Sequence, residues 1–341
     1  MKHTKSVYLI LLFILAAVSV LLCFEKAPQI PKRFSGINII FFNGGSSSCP
    51  FTSVVHKGAL AAEKDLGCHV RYVWSDWDPR KMALQFKEAI DKKPDAICMM
   101  GHPGTDVLGP LVDEAVRKGI VITLQNVDIP ELRVKYAEKG LGYAGQVLYS
   151  SGTMLGSGVV KKFKLGKGIK AAVIGPGITE DKKPLTERAV RTKGCIDALE
   201  QGGLTVYAVP ASLELENDPA GKGPEVIAKI FAEHPDLKVL ITDHGSLTSS
   251  IGKTLKKLGK NPGDIIVAGF DLSADTVAAI KEGYVGLVHD QQPFLQGYLP
   301  IVQVCLAKKY GFSGLYVDTG VGLIDGSNVE SIEALVLEQI R

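Results

Sequence analysis

Two doubly wound α/β lobes, each on its own parallel sheet, are the fold class this sequence predicts. Three observations carry that reading. Short apolar or β-branched runs recur along the chain, amphipathic stretches of helix length separate them, and from residue 170 the series starts again. The length agrees, since 341 residues at roughly 100 to 200 per domain make about two domains.

In order, the first series reads INIIFF (37–42), HVRYVW (69–74), DAICMM (95–100) and IVITL (120–124) as strands. The second reads KAAVIG (170–175), LTVYAV (204–209), KVLIT (238–242), DIIVAGF (264–270) and YVGLV (284–288), with helices such as 184–201 and 246–258 between them. Ahead of both, Lys2 and Lys5 precede an apolar run over 7–24 that only Ser19 interrupts. That is the layout of an export signal, either cleaved or kept as an anchor, because the run is as long as a short membrane-spanning helix. Leu22 stands before Cys23, where a lipoprotein cleavage site wants a small residue. Residues 1–24 are assigned to a signal peptide or anchor, and 25–36, with Pro28 and Pro31, to a linker.

Composition removes several function classes. Apolar residues at 46% and charged residues at 22% exclude a largely disordered chain and a polytopic membrane protein. Lys2 and Lys5 supply two of the formal +3 charges, so nothing in the lobes suggests a nucleic-acid partner. Cys23, Cys49, Cys68, Cys98, Cys195 and Cys305 form no C-x-x-C pair, which argues against a zinc ribbon or a disulfide framework. Cys98 in a strand and Cys195 and Cys305 in helical patterns read as small buried hydrophobes.

Ligands of such sheets sit beyond the carboxyl ends of the strands. Those ends carry NGGSSSCPF (43–51), GHPG (101–104) and Gln125-Asn126 in the first series. In the second they carry Asp243-His244-Gly245, Asp271-Leu272-Ser273 and HDQQP (289–293). NGGSSS lacks the G-x-G-x-x-G spacing of a dinucleotide site, and no Walker loop, G-x-S-x-G or H-E-x-x-H occurs. No enzymatic motif, no cofactor and no metal site is therefore expected. Neutral polyols, by contrast, are matched by carboxylates, amides and guanidinium groups used bidentately, with a flat aromatic against the C–H face. Asp271, Gln291, Asn126, Gln125 and Arg191 suit the first role and Phe51 the second.

From the end of the leader onward the chain resembles the periplasmic sugar-binding proteins of the ribose-binding type, which share their fold with the effector domains of lactose-repressor-like regulators. VAGFDLS matches that family's G-F-D and gives Asp271, and HDQQPFLQGY matches its glutamine before a return crossing and gives Gln291. RTKGCIDAL resembles an R-x-x-G-F helix and points to Arg191, while CPF places Phe51 at a stacking position. MGHPGTD puts His102 where an amide is usual, VITLQN puts Gln125 and Asn126 where a charged pair is usual, and LITDHG offers Asp243 or His244. Trp77 is an aromatic of the rim or of the cleft.

The resemblance implies an extracytoplasmic monomer in the periplasm or on the extracytoplasmic face of the cell membrane. It would close on a monosaccharide or polyol and deliver it to an ABC-type permease, or, alternatively, present it to a signalling receptor. The departures leave pentose, hexose and sugar alcohol all open. Three crossings between lobes are expected near 136–144, 291–293 and 318–322. They give an N-terminal lobe of 37–143 plus 292–319 and a C-terminal lobe of 144–291 plus 320–341. The leader stands where a regulator would carry its helix-turn-helix, which argues against that role.

Overall fold

The structure, a computed structural model, describes residues 33–341. The expected leader and most of the linker lie outside the described residues. Two six-stranded sheets form the frame. The first contains β1 (Asn38–Phe42), β2 (His69–Val73), β3 (Ala96–Met100), β4 (Val121–Gln125), β5 (Gly142–Gly145) and β11 (Tyr316–Asp318). Its order is β11-β5-β4-β3-β1-β2, parallel throughout.

The second contains β6 (Lys170–Pro176), β7 (Thr205–Ala211), β8 (Leu237–Thr242), β9 (Ile266–Phe270), β10 (Leu287–Asp290) and β12 (Gly322–Ile324). It runs β12-β10-β9-β8-β6-β7, with β12 alone antiparallel to its neighbour. Both are thus doubly wound parallel sheets, as the alternation of runs predicts.

Helices cover both faces of each sheet, which is why a central strand such as β3, AICMM, is buried at every position. The first sheet carries α1 (Pro50–Leu66), α2 (Pro79–Asp91), α3 (Thr105–Arg117), α4 (Pro130–Tyr136) and α11 (Pro293–Tyr310). The second carries α5 (Leu148–Phe163), α6 (Ala189–Gln201), α7 (Leu213–Asn217), α8 (Pro219–Glu233), α9 (Gly245–Lys257), α10 (Ala274–Lys281) and α12 (Glu333–Leu337). Their starts are locally encoded. Asp78 caps α2 by accepting from the Arg80 amide at 2.8 Å, and Pro79 follows at the first helical position, where its missing N–H is no loss.

One core lies in each face of the second lobe and one in the first, where Phe41, Phe42 and Phe86 are fully buried. Each such side chain stabilises the fold by about 1.5–3 kcal/mol. Helices α1 and α11 pack so closely that a Cβ on Gly58 would strike the Phe294 carbonyl, and one on Gly297 the Val55 carbonyl.

The chain changes sheet three times, at 146–147, 291–292 and 319–321. The first corrects the expectation of 136–144, because GYAG (142–145) is a strand of the first sheet, so 144 and 145 belong there. A four-residue run with two glycines shows no strand periodicity. β11 and β12, three residues each, flank the crossing expected at 318–322 and are too short to show a period. The helix expected at 184–201 begins only at Ala189, since Ile178 and Pro184 close a loop by an antiparallel bridge. The linker also ends early: Phe34 is 5% exposed and edge-on to Tyr310 at 6.1 Å, so it belongs to the first core. The five described cysteines are all buried and free.

Candidate functional site

The carboxyl ends of the two sheets meet across a cavity of about 190 Å³. Parallel strands dictate this, because every strand of a lobe delivers its following residue to the same edge. Backbone geometry then aims individual side chains. Trp77, Asn126, Asp271 and Gln292 each follow a strand with φ of +59°, +60°, +70° and +53°. Such left-handed conformations cost a residue with a side chain roughly 1–3 kcal/mol and concentrate where the surrounding structure imposes them.

Six of the eight expected residues share this cavity: Phe51, His102, Asn126, Arg191, Asp271 and Gln291. Gln125 and Asp243 do not line it. Gln125 is the last residue of β4 and turns inward, giving its Nε2 to the Phe42 carbonyl at 2.7 Å. Asp243, fully buried, lies behind the wall as the counter-ion of two guanidinium groups. Arg191 gives it Nε at 2.6 Å, Arg188 gives it Nη1 at 3.1 Å, and Thr192 Oγ1 also donates. In both places the neighbour one residue on, Asn126 or His244, faces the cavity instead. Successive side chains at a strand end point to opposite sides, so an uncertainty of one position exchanges wall for lining.

The lining also includes Trp77, the aromatic of rim or cleft, and His244, the alternative to Asp243, together with residues that no strand end points to. Trp77 is 9% exposed and its ring stands 5.9 Å from Phe51, 5.4 Å from His102 and 5.9 Å from His244. Gly45 makes room for it, since a Cβ there would come within 2.5 Å of the indole Nε1. That is a structural use for the glycines of NGGSSS. Arg188 and Glu216 complete the wall from α6's N-terminal approach and from the short α7. Neither follows a strand directly, so the search of strand ends passes them by.

Electrostatically the cavity is close to neutral. Burial pushes Asp271 up to about 6 against the pull of Arg191 and of the Gln291 amide. Burial also pushes Glu216 up to about 7. His102 and His244 are driven down to about 3 by burial and by the Arg188 and Arg191 guanidiniums, so both are neutral at ordinary pH. For Asp243, burial alone would raise the carboxyl, and the two arginines reverse this and hold it low. Arg191 falls to about 10 through burial and the neighbouring Arg188, and it remains charged. Its Nη1 is buried without a partner, as are His102 Nδ1 and Trp77 Nε1.

Beneath the cavity an amide web ties the crossings together. Gln291 Nε2 donates to Asp271 Oδ1 at 2.6 Å, and its Oε1 accepts from Gln146 at 2.6 Å and from Asn126 at 3.2 Å. Gln296 joins Gln291 to Thr319 Oγ1 at 3.1 Å. All three crossings therefore contribute to one network. Among the described residues no group of three His, Cys, Asp or Glu side chains is placed to hold a metal ion.

Comparison with known proteins fits this architecture. Residues 39–309 match the periplasmic binding protein domain. The chain belongs to that family. A xylose/arabinose-binding protein of Sulfolobus acidocaldarius is 28% identical over 316 residues, 89% of this chain and 74% of that one. A ribose import binding protein of Bacillus subtilis is 26% identical, over 88% of this chain and 91% of its own length. Among solved structures, a carbohydrate transporter from Acidothermus cellulolyticus in complex with myo-inositol superposes with a TM-score of 0.73 at 21% identity. That likeness spans 90% of this chain and all of the other. A solute-binding protein from Burkholderia graminis in complex with D-arabinose gives 0.74 at 20% identity, over 87% and 98% of the two chains. The fold is that of the type I periplasmic binding proteins, as the G-F-D and arginine-helix motifs imply.

Proposed function

We propose that this protein binds a neutral monosaccharide or polyol between its lobes, outside the cytoplasm, and hands it to an ABC-type permease. One observation carries the reading. Two aromatic rings, Phe51 and Trp77, share a cavity with Asp271, Asn126, Gln291 and the unpartnered Nη1 of Arg191. A hydroxylated ring needs that combination of apolar face and bidentate polar groups. The balance of two guanidiniums against Asp243, Asp271 and a half-ionised Glu216 favours a neutral ligand over a phosphorylated or acidic one. Relatives named for xylose, arabinose and ribose support the class.

Closure of the lobes about the three crossings is the proposed mechanism. The lobes touch at the rim, where Asn217 Nδ2 donates to the Asp76 carbonyl at 3.0 Å and the Cys49 and Ser246 side chains meet at 3.5 Å. Ligand that bridges Trp77 on one lobe and Asp271 on the other stabilises this closed arrangement, which a permease can distinguish from an open one. No covalent step is required. Residues 7–24 supply the export signal, and among the described residues no helix is long and apolar enough to cross a membrane.

A thermal-shift panel of pentoses, hexoses and sugar alcohols tests the reading. A ligand at about a thousand times its Kd adds roughly 4 kcal/mol to the folded state, which raises Tm by several degrees or more. If no member of the panel moves the transition, the sugar reading fails.

A further inference from the structure

The first lobe ends, opposite the cavity, in a face that no binding role explains. Its six strands are parallel, so the segments entering them share that face. Counted from the last three residues of each preceding helix, and from Arg33 for β1, these segments hold ten lysines and arginines against four acids. Tyr310 is 48% exposed, Phe312 58%, and Leu315 and Tyr316 are exposed beside them. The corresponding segments of β6 to β10 in the second lobe hold eight basic residues against five acidic, but not one exposed large apolar side chain. Charge is common to both bases, and exposed aromatics are peculiar to the first.

The described chain also begins on this face. Lys309 Nζ donates to the Arg33 carbonyl and lies over the Phe34 and Tyr310 rings, at 5.3 and 5.7 Å. Only residues 25–32 separate Arg33 from the apolar run 7–24, and eight residues reach at most about 28 Å when fully extended. Where the leader is kept, the patch cannot be far from the bilayer into which that run inserts.

We infer that the base of the first lobe, centred on Phe312 with Tyr310, Lys139 and Arg117, is a docking surface for an anionic lipid bilayer. Aromatic rings settle at the headgroup level, and nearby Lys and Arg side chains are attracted to anionic lipid. In this docked state the cavity, at the other end of the same strands, faces away from the bilayer and is open to ligand, and hand-over to a permease requires the lobe to leave the surface.

The full chain, leader included, carries a fluorophore at Ser313→Cys or at Ser47→Cys, in a Cys23→Ser background. It is reconstituted into vesicles of phosphatidylcholine alone or mixed with phosphatidylglycerol, each containing a headgroup nitroxide quencher. Ser313 stands in the patch and Ser47 in the loop after β1 at the cavity end, and both sites are solvent-accessible loop positions. The expected result is several-fold stronger quenching at 313 than at 47 in the mixed vesicles. That excess should shrink in pure phosphatidylcholine and in the double variant Arg117→Glu, Lys139→Glu, whose melting temperature should match the parent. Equal quenching at both sites overturns the inference. So does quenching at 313 that ignores phosphatidylglycerol and the charge reversals, because the tether alone would account for it. Sugar binding is read separately by thermal shift, so failure here leaves the proposed function untouched.

Discussion

Arg191 gives its Nε to Asp243 at 2.6 Å, and the carboxylate that receives it has no access to the cavity. The pair therefore divides labour. Asp243 neutralises and orients, while the arginine keeps its unpartnered Nη1. Asp243→Asn should consequently behave as a stability variant. Breaking a buried ion pair by removing one partner costs about 3–5 kcal/mol, and here two guanidiniums lose their counter-ion. Chemical denaturation should show a large fall in midpoint without any ligand present. A variant as stable as the parent would mean that the carboxylate is not the counter-ion the geometry makes it.

Asp271→Asn should do the reverse. Asp271 lines the cavity and is held by the Gln291 amide, so the asparagine keeps the shape and loses the acceptor charge. Leaving ligand hydroxyls poorly paired costs about 2–3 kcal/mol, or roughly 30- to 150-fold in affinity. With its carboxyl raised to about 6, the wild type should also bind more weakly as pH falls through that value, and the variant should not. Calorimetric titration with the best sugar of the panel, at pH 5 and 7.5, reads both effects. Equal affinities for the two proteins at pH 7.5 would remove Asp271 from the site.

Trp77 depends on a glycine. Replacing Gly45 by alanine sets a Cβ against the indole at 2.5 Å, closer than carbon and nitrogen approach without something shifting. Gly45→Ala should thus reproduce much of the effect of Trp77→Ala, a loss of ligand affinity of tenfold or so, since an aromatic stack is worth about 0.5–1.5 kcal/mol beyond the area it buries. Ligand titrations of the two single variants and the double variant make the check. Full additivity in the double would show that the two residues act independently, against the geometry.

The pattern of runs was enough for nine of the twelve strands, because a buried parallel strand such as AICMM must be apolar throughout. β5, β11 and β12 escaped it, since three or four residues with glycine at GYAG carry no period. The G-F-D strand end led to Asp271 because the left-handed turn there is built into one short motif. Asp243 and Gln125 are expected in the lining and lie behind it, because register is set by which face of the sheet the strand leaves from, and β-structure reverses that at every residue. Glu216 reaches the cavity only through the placement of α7, a five-residue helix whose position is decided by the packing of the second lobe.

Unliganded stability should depend on pH through groups that pull in opposite directions. His102 and His244 titrate near 3 and His289 near 4 in the folded protein, against about 6.5 for an unfolded histidine. Below pH 6.5 the unfolded chain takes up protons there that the folded chain refuses, so stability from these three is full above that value and is lost as pH falls. Asp271 and Glu216, raised to about 6 and 7, act inversely: the folded protein keeps their protons, and that contribution is lost as pH rises through those values. Three histidines oppose two acids, so between pH 6.5 and the folded histidine values the net slope should be an increase of stability with pH. His244 sits 3.5 Å from Glu216 and faces Trp77 across the cleft, where glutamine can fill its place without a titrating group. His244→Gln should therefore lose less stability than the wild type between pH 7.5 and 5, as read from urea midpoints at the two values. An equal loss in both proteins would show that His244 titrates much as it does in the unfolded chain, and the burial that holds it neutral would have to be given up.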